Sequence, residues 1–186
     1  MANFYNIDDI MAEEELVPAI FQVSANGVEM LESGEEADKV EQGTKVELPF
    51  WLARELQLRQ AVSVDIPMCF NKKTKDEIIA DAAHVDLRTR SPYFYELGLK
   101  IEPIVGDKTI RNLLLGAFAI RYKDVLVKAQ TTALALAPKM LTLLTKEEMK
   151  LYEAAQSSLI AFKKWRMGGP RFQRASVLGR KRRSNE

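Results

Sequence analysis

Apolar and polar positions alternate in three short runs within the first 70 residues, and the period then changes. Ala19, Phe21 and Val23 alternate with Ile20, Gln22 and Ser24. Val46, Leu48 and Phe50 alternate with Lys45, Glu47 and Pro49, and Val62, Val64 and Ile66 with Ser63, Asp65 and Pro67. A period of two puts every second side chain on one face, so the runs predict half-buried strands. Between the last two lies Pro49-Phe-Trp-Leu-Ala-Arg-Glu-Leu-Gln-Leu58. Proline near a first turn, followed by good helix formers, predicts a short helix there. Ahead of the strands, Ile7, Ile10 and Met11 fall on one side of a short acidic helix. The acidic stretch 29–42, which contains Ser33-Gly34, reads as a surface loop. A unit of this size has a marginal core alone and needs a neighbour.

From about Asn71 the pattern becomes helical. Ser91-Pro92 predicts a helix start, since the serine oxygen caps free N–H groups and proline is tolerated next. Thr145 and Glu148 have the spacing of a capping box. Met149, Tyr152, Ala155, Leu159 and Phe162 follow as one stripe until Gly168-Gly169-Pro170 stops the helix. A longer helix is predicted from near Asp107 toward Pro138. Its segment Leu113–Ile120 has no polar side chain over two turns, so it must be covered on every side. Either it is the central helix of its own domain or another subunit covers part of it, and both readings stay open. In Tyr93-Phe94-Tyr95, neighbours on a helix diverge by about 100°, so at least one ring is expected to point outward.

These readings give an α+β chain. A small β-rich domain spans 1–70, a larger all-α domain spans 71–168, and a basic, disordered tail follows over 169–186. The apolar fraction of 47% and charged fraction of 28% are those of a globular protein. No apolar run approaches membrane-spanning length, and the first residues lack the pattern of a secretory signal. The single cysteine, Cys69, fits a reducing compartment, so the expectation is a soluble intracellular protein. Net charge is +1, but residues 1–70 hold 14 acids against 4 bases, a net −10, while the remainder carries +11. Such asymmetry marks two units in unlike surroundings.

Catalytic chemistry finds little support. His84 is the one histidine, with no second imidazole for metal or acid–base work, and Cys69 reads as a buried thiol. Neither glycine-rich phosphate-binding pattern occurs. Runs such as Glu13-Glu14-Glu15 diverge in direction and read as solvated faces. No catalytic residue, cofactor or metal site is expected. The segment from Lys163 to Glu186 holds nine bases and one acid. Within it, Arg180, Lys181, Arg182 and Arg183 read as a nuclear-localisation signal or a phosphate contact. Ser176 and Ser184, downstream of arginines, are possible phosphate acceptors. A nucleic-acid-binding module acting through this tail is the alternative to an assembly subunit.

Two blocks resemble a known family: Gly43-Thr-Lys-Val-Glu-Leu-Pro-Phe-Trp-Leu52, continued by Val62-Ser-Val-Asp-Ile-Pro67, and Ser91-Pro-Tyr-Phe-Tyr-Glu-Leu-Gly98. Together, in this order, they resemble the Psf-type subunits of the GINS complex, the third of them most closely. The resemblance runs from about Phe4 to about Gly168. It implies a β-rich domain ahead of a helical one and a non-catalytic nuclear scaffold. It also implies a heterotetramer with three sibling GINS subunits, joining a Cdc-type helicase activator to the minichromosome-maintenance ring as the CMG DNA helicase of the replication fork. Contact with DNA is expected to be indirect or weak, and no membrane partner is implied. On this reading Tyr93, Phe94, Tyr95, Leu97, Leu114 and Phe118 are interface candidates toward the siblings. Phe50 and Trp51 pack locally or face the ring.

Overall fold

The computed structural model describes residues 6–26, 39–131 and 141–167. In chain order the elements are α1 (Ile7–Glu13), β1 (Leu16–Phe21), β2 (Ala25–Asn26), β3 (Lys39–Val40), β4 (Lys45–Pro49), α2 (Phe50–Leu58) and β5 (Val62–Val64). A 3-10 turn (Met68–Phe70) then leads into α3 (Lys72–Asp81), α4 (Phe94–Val105), α5 (Lys108–Thr131) and α6 (Lys146–Arg166). A small sheet followed by helices is the α+β arrangement that the periodicity predicts.

The sheet has the order β4-β1-β5, antiparallel throughout, with β2 and β3 as a separate two-stranded pair. Its register aligns the buried positions: Val17 lies opposite Leu48, Ala19 opposite Val46 and Val64, and Phe21 opposite Val62. β1 begins three residues earlier than the expected alternation from Ala19, and Val23 lies exposed beyond its end. Pro18 concealed that start. Its nitrogen and carbonyl point toward β5, whose pairing begins only at Ala19, so no ladder bond needs the missing N–H. The Pro18 carbonyl is used, accepting from the Asp65 N–H at 2.8 Å.

α2 starts where expected, with Pro49 as its N-cap. It ends without a glycine. Gln60 takes the left-handed conformation at φ 58°, and the Ala61 N–H reaches the Leu56 carbonyl at 2.9 Å, which closes a Schellman-type turn. The Gln57 side chain then joins three elements, accepting from the Val64 N–H at 3.2 Å and donating to the Ile104 carbonyl at 3.1 Å.

Ser91-Pro92 does not start α4, which is a correction to the sequence reading. The Ser91 N–H is taken by the Leu87 carbonyl, and the Pro92 carbonyl accepts from the Lys146 N–H at 2.9 Å. The chain therefore turns once more before the helix begins at Phe94, with Tyr93 as an N-cap that makes no side-chain bond. Gly106, at φ 74°, ends α4, and Asp107 opens α5 by accepting from the Thr109 N–H at 2.9 Å. The capping box of α6 forms as predicted: the Glu148 N–H donates to Thr145 Oγ1 at 3.3 Å, and the Thr145 N–H donates to Glu148 Oε2 at 3.1 Å.

One core runs from the sheet through α2 into α4 and the first half of α5, so apolar packing crosses the expected boundary after residue 70. A second, smaller cluster gathers Val125, Ala129, Leu144 and Tyr152. Most of the acidic loop, Pro138, the Gly168-Gly169-Pro170 stop and the tail with Arg180, Lys181, Arg182 and Arg183 lie outside the described residues.

Candidate interaction surface

Reactive side chains offer no working centre among the described residues. His84 is exposed, its Nδ1 2.8 Å from Asp81 Oδ2, and this partner draws the Asp81 pKa down. Cys69 is buried, and burial pushes its thiol up to about 12, which keeps it protonated. Among the described residues, no group of three or more His, Cys, Asp or Glu side chains has the placement to hold a metal ion. Among the described residues, too, no helix is long and apolar enough to cross a membrane. What the fold builds is a rigid helical platform with apolar flanks.

The platform is locked by ionic contacts inside its core. Arg121 of α5 donates from Nε to Glu148 Oε1 at 2.5 Å and from Nη2 to Oε2 at 2.7 Å. Its remaining N–H groups reach the carbonyls of Ala82, Val85 and Leu143 at 2.9, 2.8 and 3.2 Å, so all five guanidinium donors are satisfied. The Tyr95 hydroxyl of α4 donates to Glu148 Oε1 at 2.8 Å. Burial works against the Arg121 cation, yet the hydrogen bonds and charge of Glu148 outweigh it and raise its pKa. The Tyr95 phenol is pushed up as well, first by burial and then by the Glu148 charge. The network ties α4, α5, α6 and the turn after α3 into one piece. The sequence reading missed it, because an arginine within an apolar stretch reads as solvent-facing. Its phase was the available signal: Arg121 lies four residues after Ala117 and four before Val125, both buried.

Beside this lock, aromatic rings run from the core to the surface. Phe70 packs on Phe94 at 4.9 Å between centroids, Phe94 on Tyr95 at 5.6 Å, Tyr95 on Phe118 at 5.6 Å and Phe118 on Tyr122 at 5.5 Å. The first three are buried, whereas Phe118 and Tyr122 open to solvent. With Leu115, 69% exposed, they form a stripe at i, i+3 and i+7 on α5. Ile120 and Val127 make a second open flank. The chain's own core therefore covers one face of the apolar segment and leaves two flanks bare. α6 behaves likewise. Glu148 and Tyr152 are buried, but Ile160, Phe162 and Trp165 are exposed toward its far end, where the Phe162 and Trp165 rings lie 5.8 Å apart.

The expected interface residues separate into two groups. Phe50, Tyr93, Phe94, Tyr95, Leu97 and Leu114 are buried within this chain. The expectation that one of the three consecutive rings points outward is thereby corrected. Tyr93 precedes the helix, so the 100° divergence does not govern it, and α4 is packed on enough sides to cover both Phe94 and Tyr95. Trp51 and Phe118 do lie at the surface. Leu115, Ile160 and Trp165 were not among the expected residues, because one sequence does not tell which side of an apolar helix its own fold covers.

Comparison with known proteins matches two family descriptions. Residues 5–58 match the PSF3 N-terminal domain, and residues 69–167 match the helical bundle domain of GINS complex proteins. The chain is 30% identical over 173 residues to the DNA replication complex GINS protein PSF3 of Phaeosphaeria nodorum, covering 89% of this chain and 96% of that one. It is 31% identical over 177 residues to the mouse protein of that name and 27% identical over 170 residues to that of Xenopus laevis. Each of these alignments covers 89% of this chain and 81% of the relative.

Proposed function

This chain belongs to the PSF3 family of GINS subunits, and from that premise we propose that it is a non-catalytic structural subunit of a heterotetrameric GINS complex. It joins its three siblings by burying the open flanks of α5 and the far half of α6. In this reading the tetramer sits in the nucleus and links the Cdc-type activator to the minichromosome-maintenance ring in the CMG DNA helicase, for initiation and elongation of DNA replication. The observation that carries the proposal is the line of rings that leaves the core at Tyr95 and ends in solvent at Phe118 and Tyr122. A soluble monomer rarely leaves such a contiguous apolar face bare, and aromatic residues are favoured where partners meet. The ionic lock behind it holds the face rigid, which lowers the cost of ordering it on assembly. Trp51, open at the start of α2, is the corresponding contact on the sheet side, facing the ring.

Leu115→Asp and Trp165→Asp test the reading, since both side chains point outward and the fold tolerates their change. Co-purification with the three siblings is expected to fall at least tenfold while the circular dichroism of the chain stays unchanged. Undiminished, stoichiometric recovery of both variants contradicts it. The alternative, a nucleic-acid-binding module acting through the basic tail, predicts duplex binding that weakens steeply with salt and vanishes when residues after Pro170 are removed. The scaffold reading predicts that this truncation leaves assembly intact.

A further inference from the structure

Helix α1 is oriented against the usual rule for surface helices. Ile7, Ile10 and Met11 recur at i, i+3 and i+4, a spacing that normally faces a core. Here that stripe faces solvent, with Ile7 73%, Ile10 50% and Met11 47% exposed. The acidic side is turned to the body instead, and Ala12 on that side is the one buried residue of the helix.

Charge imposes this orientation. Lys150 of α6 pairs with Asp8, and Lys100 of α4 pairs with both Asp9 and Glu13, the latter at 2.8 Å. Lys100 also donates to the Asp9 carbonyl at 3.4 Å. A helix of seven residues has little stability of its own, so these contacts and its short packing on α4 and α2 decide how it lies. Three of its acids are thereby occupied. Glu14 is different: seven residues after Ile7, it returns to the outward face and is exposed.

We propose that α1 is a docking helix, held apolar side out by Lys100 and Lys150, whose Ile7, Ile10 and Met11 enter an apolar groove of another protein. That groove carries a basic rim where it meets Glu14. Anchors at i, i+3 and i+4 are the pattern by which a helix fills a groove. Apolar contact alone leaves the occupant unspecified, but charge narrows it. The face ends in the exposed Glu14 carboxylate, which favours a basic surface over an acidic one. The inference rests on the reading that this chain works within an assembly.

The test places the photo-crosslinking residue p-benzoylphenylalanine at position 10 of the full chain. That chain is co-expressed with its three predicted siblings and then mixed with the helicase ring and its activator. The expected result is one dominant adduct to a different polypeptide, at a site with lysine or arginine beside apolar residues. Glu14→Lys is expected to lower its yield at least tenfold, and the double variant Lys100→Ala, Lys150→Ala to lower it severalfold by releasing the helix. An adduct confined to this chain, to a second copy of it or to an acidic segment overturns the proposal, as does a yield indifferent to Glu14→Lys. The size of the particle, measured on the same sample, reports the assembly reading separately: an intact four-subunit particle without an adduct overturns the docking helix alone.

Discussion

Arg121 and Glu148 meet across the junction of α5 and α6 through two hydrogen bonds, of 2.5 and 2.7 Å, and both side chains are almost wholly withdrawn from solvent. Every donor of the guanidinium is used, and each carboxylate oxygen accepts at least twice. Removing one partner strands a buried charge, so Glu148→Ala is expected to destabilise the chain by about 3–5 kcal/mol. Replacing both by methionine is expected to cost well below the sum of the single changes, since no charge is left unpaired. Urea unfolding of the two single variants and the double variant measures this, and additive losses contradict the coupling.

Two helical glycines are expected to respond in opposite directions. A Cβ on Gly98 lies 2.7 Å from Leu114 Cδ1 and 2.9 Å from Phe70 Cζ, both belonging to buried side chains. Overpacking there outweighs the better helix propensity of alanine, and Gly98→Ala is expected to cost about 1–3 kcal/mol. A Cβ on Gly116 meets nothing within 4 Å. Gly116→Ala is expected to stabilise the isolated chain by up to about 1 kcal/mol. Thermal unfolding of the pair reads both signs.

Asp107 carries an acid-sensitive part of the stability. Hydrogen bonds from Lys75 and from the Thr109 side chain and backbone hold its carboxyl down from 3.8 to about 2. A carboxyl depressed in the folded state contributes stability that is complete above its unfolded pKa and is lost as pH falls through the folded one. The affected window is therefore about pH 4 down to 2. Asp107→Asn is expected to be less stable than the parent at pH 6, with a difference that narrows across that window. A constant difference contradicts this.

Cys69 is expected to be a reporter of unfolding. Burial raises its thiol from 9.0 to about 12, which lowers the thiolate fraction about a thousandfold, and the sulfur is also shielded. Labelling by a disulfide reagent at pH 8 is therefore expected to follow the urea transition. Rapid labelling of the native chain contradicts the burial.

Local pattern made much of this fold legible. Thr145 and Glu148 announce α6 because a capping box is a contact between residues three apart, and the alternation of Val46 and Leu48 marks β4. Long-range contacts were hidden. Nothing near Arg121 in the sequence announces Glu148, 27 positions later, and nothing near α1 announces Lys100 or Lys150, 87 and 142 residues from their acidic partners. Without those lysines the apolar stripe of α1 reads as its inner side. The aromatic run at Tyr93 reads as an interface with at least one ring outward, yet all three rings are buried in this chain, because whether they face the core or a partner depends on what surrounds α4. Of the expected interface residues, Trp51 and Phe118 lie open, while Phe50, Tyr93, Phe94, Tyr95, Leu97 and Leu114 serve the chain's own core.

The central claim is that the open flanks of α5 and α6 are surfaces for sibling subunits. Size-exclusion chromatography with light scattering, on this chain alone and co-expressed with the three siblings, tests it most directly. The account predicts a lone chain that is poorly soluble or self-associating, and a single particle holding one copy of each subunit after co-expression. A well-behaved monomer that stays a monomer beside its siblings contradicts it.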